Sequence, residues 1–433
     1  MGIQGFTRFY SQIVKDTINI KRISDFRGKY VLVDIANRLY QMCIGKRKSG
    51  SDFTNSEGES ISHLDALLSF TSRLLSMGIC PVYIFDGASP FQKRETVRKR
   101  REIRERALEK CEFLSDGDSD DHIKDFKRSF NLNRKMIDGC KKLLNLIGIP
   151  YFQCIGEADQ DCSIIATHYK DDIAGIISDD TDMLIFGGDN VSLLKDFSLK
   201  TGLCIDIKRS DILTFLLEKS NNILLENGKK PLDGFPKENF VNFSILMGTD
   251  YTKSCRLSKI DNEKLFELFV LNEFSIELTI KSLQSTYPSV RIPERFLSAC
   301  LKNKKIYTNS DSVDPTELNL TPSHIDLNSV LSFLCDENDF AKCFVKSVMA
   351  ELNRNVTTFI DFRNCRDRIL SAVPKVRNFF SHSARKIGYV KPESAYVKKR
   401  KCAFLSKFTL EYSEKMDACV SWREIKPVVQ YRI

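Results

Sequence analysis

Metal-finger spacing is missing from this 433-residue chain: its 14 cysteines are scattered without a single C-x-x-C pair, and it has only five histidines. That argues against a zinc site. No stretch approaches the roughly 18 consecutive apolar residues of a membrane span, so no membrane partner is expected. The opening MGIQGFTRFY has no apolar core, so no secretory signal is expected there. Phe6 stands where a myristoylated start would carry Ser or Thr, which sets that modification aside. The cysteines are then reduced, mostly buried thiols of an intracellular, reducing compartment. No internal repeat is visible.

What is present is a globular composition, 42 % apolar and 28 % charged, with a net charge of +9. The charge is uneven. Residues 361–433 hold 17 Lys/Arg against 7 Asp/Glu, which leaves the rest of the chain near neutrality. A basic C-terminal region on a near-neutral body points to a polyanion, nucleic acid before membrane. Residues 29–41 read as a buried strand that ends at Asp34 and enters a helix, and 78–87, 148–154 and 172–182 as further buried strands. Helical patterns at 62–78 and 130–148 lie between them. This alternation predicts an α/β fold, a central largely parallel sheet flanked by helices, with a mostly helical C-terminal region. Residues 92–112 read as a charged helix followed by a mobile turn at 115–121. Helices are also expected at 210–226 and 238–247, with weaker helical signals beyond 253 and a short strand in the last sixteen residues.

Seven acids end apolar runs or open helices: Asp34, Asp86, Glu157, Asp159, Asp180, Asp182 and Asp250. Acids in a first helical turn are favoured by the helix dipole, so capping alone explains any one of them. Gathered together, they would repel one another by several kcal/mol unless a cation lay between them. Carboxylates without His or Cys select Mg²⁺ or Mn²⁺. Seven exceed the need of one ion and suggest a pair about 4 Å apart, able to activate water at a phosphodiester. Spacing by itself leaves open a set of separate surface caps.

The residues so gathered resemble the flap endonuclease family of structure-specific 5′ nucleases. MGIQGF, VLVDIANRLYQ, PVYIFDGASPFQKRETVRKR, GIPYFQCIGEADQDC, ISDDTDMLIFG and LMGTDY follow that family's motifs in order from Met1 to about Tyr251. Details of these motifs and the divergent C-terminus most resemble the orthopoxvirus branch. The resemblance implies a 5′-nuclease, PIN-like fold, with a catalytic domain at 1–252 that includes an arch at 92–130. A helical region at 253–360 and a basic region at 361–433 would follow. It implies two Mg²⁺, with Mn²⁺ able to substitute, held by the seven acids, of which Asp34, Asp86 and Asp180 are also counted as catalytic. Asp179 takes the neighbouring non-ligand position. Lys93 and Arg100 match the two cations aimed at the scissile phosphate. Being seven residues apart, they share a helix face. Tyr40 matches the aromatic that stacks a nucleotide, and Gly2 the small residue that approaches DNA once Met1 is removed. Arg94 is counted with the DNA contacts, although it suits a solvated basic face as well as Lys99 and Arg101 do.

The chain departs from the family after Asp250. The stretch at 252–269 has no glycine, whereas the family places there a glycine-rich motif that holds potassium and duplex backbone. Potassium binding is therefore not expected, and duplex grip falls to Lys253, Lys259 or the basic tail. No sliding-clamp peptide is found. The expected partners are flap, nicked, gapped or branched DNA, with viral replication proteins or self-association through the C-terminal region as further candidates. VKKRKC at 397–402 reads as phosphate contact or nuclear signal. If the orthopoxvirus likeness holds, the work is done in the host cytoplasm. The expected activity is Mg-dependent flap endonuclease and 5′-3′ exonuclease chemistry in DNA replication, recombination and repair. The rival readings are a non-catalytic scaffold for branched DNA and a hydrolase with an aspartyl nucleophile. The second lacks its D-x-D-x-[TV] pattern at FDGAS.

Overall fold

Seven strands form one sheet: β1 (Ile20–Arg22), β2 (Tyr30–Asp34), β3 (Cys80–Phe85), β4 (Tyr151–Gln153), β5 (Ile173–Ile177), β6 (Ser192–Ser198) and β7 (Leu203–Lys208). The computed structural model describes residues 2–372 except 16–18, 47–51, 88–93, 114–119, 189–190, 253–259, 289–291, 293–294 and 309–312. Residues Met1–Cys365 form one compact unit. A second unit, Arg366–Ile433, is described only to residue 372, so the strand expected near the C-terminus lies outside the described residues.

The sheet order is β1-β7-β6-β5-β2-β3-β4. The β6–β5–β2–β3–β4 neighbours are parallel, whereas β7 pairs antiparallel with both β6 and β1. Every residue of β2 (YVLVD) and β3 (CPVYIF) is buried. Strands covered on both faces read as unbroken apolar runs, which is why these two were legible. β6 and β7 were not foreseen. Asp196 sits at φ 50° and the β6–β7 register shifts between Lys195 and Ser198. That bulge breaks the two-residue alternation that would have announced a hairpin.

The helices are α1 (Phe6–Phe9), α2 (Ser11–Lys15), α3 (Ile35–Lys46), α4 (Ser62–Ser76), α5 (Arg94–Phe113), α6 (Asp120–Arg128), α7 (Arg134–Leu146) and α8 (Ala158–His168). They continue with α9 (Met183–Phe186), α10 (Arg209–Glu226), α11 (Lys237–Met247), α12 (Asn262–Leu271), α13 (Ile276–Thr286), α14 (Phe296–Thr308), α15 (Leu327–Leu331) and α16 (Lys342–Ala372). Asp120 and Asp121 open α6 rather than belonging to a turn. Ile123 and Phe126 are spaced by one helical turn, and this favours the helix.

Aromatic rings join the N-terminus to the helices beyond residue 260. The Phe9 ring lies 5.2 Å from Phe243 of α11 and 5.5 Å from Phe266 of α12. Phe243 in turn stacks on Phe269 at 5.6 Å. Burial of four such side chains contributes on the order of 10 kcal/mol against the exposed chain.

Candidate active site

Strand order alone locates a crevice. β2 has β5 on one side and β3 on the other, the reversal of strand order at which ligands bind beyond the strand carboxyl ends. Asp34 closes β2, Asp86 follows β3, and Ser178–Asp182 follow β5. Glu157 is the N-cap residue of α8, with Asp159 in its first turn. Asp250 lies just beyond the C-cap of α11, where Gly248 turns the chain at φ 98°.

Two hydrogen-bond paths connect six of these acids. In one, the Ser178 hydroxyl donates to Asp34 Oδ2 at 3.1 Å and accepts from Asp180 N at 3.1 Å. Asp182 N then donates to Asp180 Oδ1 at 3.1 Å, and Asp250 N to Asp182 Oδ2 at 3.4 Å. In the other, Ala158 N donates to Asp86 Oδ1 at 2.9 Å, while the Tyr251 hydroxyl donates to Glu157 Oε2. The sequence neighbours Asp250 and Tyr251, and Glu157 and Ala158, join the two paths. Gly87 N to Gly156 O at 2.6 Å clamps the β3 and α8 loops together. A Cβ on Gly87 would strike the backbone of Ile155 at 2.5 Å. Asp34, Asp159, Asp180 and Asp182 are buried, Glu157 and Asp250 half-buried, and Asp86 exposed.

Acid groups this close act on their neighbours. Burial, then Asp34 and Asp159 among others, pushes the Cys162 thiol well above its ordinary value. Burial, then Glu157, raises the Tyr251 hydroxyl. Asp179 has a different environment. It accepts from Gln41 Nε2 at 2.8 Å and from Asp196 N at 3.1 Å, with Lys195 3.8 Å away. Burial works to raise its pKa, and those bonds with the charges of Lys195 and Arg38 outweigh it, so the carboxyl sits below its usual range. Its charge is therefore balanced within the protein.

The set offers only oxygen donors, the chemistry that suits a hard divalent cation. Among the described residues no three His, Cys, Asp or Glu side chains close on one point as a ready metal cage. In donor type the residues fit such ions.

The other predicted residues fall as follows. Gly2 lies at φ +85°, and a Cβ there would meet Thr181 N at 2.6 Å, with Asp180 beside it. Tyr40 is half-buried on α3, its ring 5.8 Å from Phe130. Arg94 and Arg100 lie on α5. Lys93, Lys253 and Lys259 lie outside the described residues. Sequence reasoning missed Ser178, Tyr251, Asn303 and Tyr307. Tyr251 had a signal, its place beside Asp250. Asn303 and Tyr307 had none, being more than 50 residues further on.

Comparison with known proteins gives a consistent result. Residues 1–107 match the XPG N-terminal domain and residues 148–250 the XPG I-region. Flap endonuclease 1 of Caenorhabditis elegans is 29 % identical over 356 residues, covering 81 % of this chain and 86 % of that protein. Flap endonuclease 1 of Homo sapiens is 28 % identical over 357 residues, covering 82 % and 87 %. Among solved structures, flap endonuclease-1 from Methanococcus jannaschii superposes with a TM-score of 0.55 at 24 % identity, covering 78 % of this chain and 96 % of that one. The catalytic core of Rad2 in complex with DNA substrate gives 0.54 at 20 %, covering 81 % and 100 %.

Proposed function

We propose, for a chain of the flap endonuclease family, that the acidic edge hydrolyses DNA phosphodiesters as a structure-specific 5′ endo- and exonuclease acting at flaps, nicks, gaps or branched junctions. The observation that carries this is the hydrogen-bonded connection of six acids from five separate segments near the carboxyl end of one sheet, with Asp159 in the first turn of α8 beside them. A protein that only held DNA would gain nothing from placing carboxylates beside phosphates.

Asp34, Asp86, Glu157, Asp159, Asp180, Asp182 and Asp250 would hold two Mg²⁺ ions, or Mn²⁺ in their place. When bound, such ions supply the positive charge that activates water and offsets charge on the leaving oxygen. The chain's own groups do the rest. Ser178 fixes Asp34 relative to Asp180, and Tyr251 fixes Glu157. Gly2 lets the backbone pack against the Asp180–Thr181 turn, where any Cβ would clash. Lys93 and Arg100 are assigned to the scissile phosphate, where fixed cations offset developing charge. Tyr40 is assigned to stack a nucleotide, and Arg94, Lys253 and Lys259 to duplex phosphates. A potassium site is not part of the proposal. The orthopoxvirus likeness of the sequence extends it to the host cytoplasm, with viral replication proteins as partners. Nuclear accumulation of the tagged chain in infected cells would overturn that extension.

The test is a panel of 5′-labelled flap, nicked, gapped and four-way-junction DNA with purified protein in Mg²⁺, read at nucleotide resolution. Cleavage near the branch, leaving a 5′-phosphate and a 3′-hydroxyl, is expected. Binding without cleavage across the whole panel would favour a scaffold.

A further inference from the structure

Helix α14 reaches the acidic edge from outside both matched regions. Its Tyr307 is 6 % exposed. The ring stands 4.9 Å from Phe186 and meets Tyr251 edge-on at 5.7 Å. Phe186 ends the short helix capped by Asp182, and Tyr251 follows Asp250 and donates to Glu157. One turn earlier on α14, Asn303 Nδ2 donates to Tyr251 O at 2.6 Å and to Thr252 Oγ1 at 2.9 Å. The Tyr307 ring is thus fixed between the segments that carry Asp182 and Asp250.

Its hydroxyl is buried without a partner at hydrogen-bonding geometry, with the Thr249 side chain beside it. Burial first, then the charges of Asp182, Asp180 and Asp159, push its pKa well up against the opposing influence of the Thr249 side chain. The group therefore stays a neutral donor. A buried polar group left unsatisfied costs the fold stability. A phenylalanine would fill the same space without that cost. Unsatisfied polar groups in native structures tend to sit where function uses them.

We propose that Tyr307 is a positioning residue of the acidic edge, its hydroxyl donating to the Asp180–Asp182 carboxylates, directly or through one water, in the cation-loaded state. The inference deepens the nuclease reading and rests on it for the identity of the ions. It gives α14 a role in setting the carboxylates rather than only in covering them.

The experiment compares the full-length wild type with Tyr307→Phe. The melting temperature is followed against Mg²⁺ without DNA, and cleavage of a 5′-flap against Mg²⁺ is measured in parallel. Without metal, Tyr307→Phe should melt at the wild-type temperature or about 1–2 °C above it, because an unsatisfied hydroxyl has been removed. With metal, the variant should need about tenfold more Mg²⁺ to reach the same rise in melting temperature and half-maximal cleavage, the usual scale for a group that orients a metal ligand. Equal Mg²⁺ dependence of the two melting temperatures would overturn the proposal. So would a variant that melts lower or does not fold without metal, since the hydroxyl would then be structural. A wild type whose melting temperature ignores Mg²⁺ would overturn it too. A wild type stabilised by Mg²⁺ that leaves the flap uncut defeats the nuclease reading instead, while the two melting curves still decide the role of Tyr307.

Discussion

His63, in the first turn of α4, is 6 % exposed, and its neighbour Ser62 donates to Asp52. Burial lowers its pKa to about 4, against the opposing influence of Asp52 and a backbone hydrogen bond at Ser60. In the unfolded chain the imidazole takes its proton near the ordinary 6.5. Stability from this residue is therefore complete above that value and is lost as pH falls toward about 4. The shift corresponds to at most about 3 kcal/mol. Urea midpoints measured from pH 7 to pH 4 should fall for the wild type, and His63→Leu should flatten that slope. Parallel slopes would show that His63 titrates normally. The same scale separates two adjacent aspartates. Asp180 is tied by Ser178 to Asp34, whereas Asp179 faces Gln41 and Lys195. Consecutive residues after a strand point to opposite sides, so the SDDTD motif divides between the acidic edge and a structural brace. The motif and its order were legible in the sequence. The brace was not, because Lys195 and Asp196 come from the hairpin that the bulge concealed.

Among the elements, the β2, β3 and β5 strands and the helices α4, α7, α10 and α11 were readable because one physical signal dominated each. For the strands it was burial of all or nearly all residues, and for the helices it was spacing with a clear stop. The helices after residue 260 gave weaker signals because they pack against α1, α10 and α11 through aromatic rings scattered in sequence. Phe266 shows the strength of that packing. It is fully buried and lies 5.5 Å from Phe9, 4.8 Å from Phe243 and 6.4 Å from Phe235. Phe266→Ala should cost about 3–5 kcal/mol by urea unfolding, the range for emptying an aromatic core site. A loss under about 1 kcal/mol would mean that α12 is only loosely attached to the N-terminal helices. No sequence pattern could show that Asn303 and Tyr307 of α14 return to Tyr251, the residue after Asp250. That contact depends on how α14 lies across the α9 and α11 ends, which is a property of the tertiary fold.

At the scale of the molecule, acids and net positive charge are divided along the chain. The acids lie between residues 34 and 250, at strand ends, loops and a helix start near one end of a mixed sheet, and the net positive charge is concentrated from residue 361 onward. An acidic edge would repel DNA by itself. On the proposed reading, bound cations at that edge act together with basic residues elsewhere, and salt should weaken substrate binding steeply. The most direct test of the central claim is cleavage of a 5′-flap in Mg²⁺ by wild type, Asp34→Ala and Asp180→Ala at matched protein concentration, with flap binding measured alongside. Both variants should lose cleavage by roughly a thousandfold or more, equivalent to about 4 kcal/mol of transition-state stabilisation, while still binding the flap. Cleavage by both at the wild-type rate would contradict the account, because the joined carboxylates would then not be the hydrolytic centre.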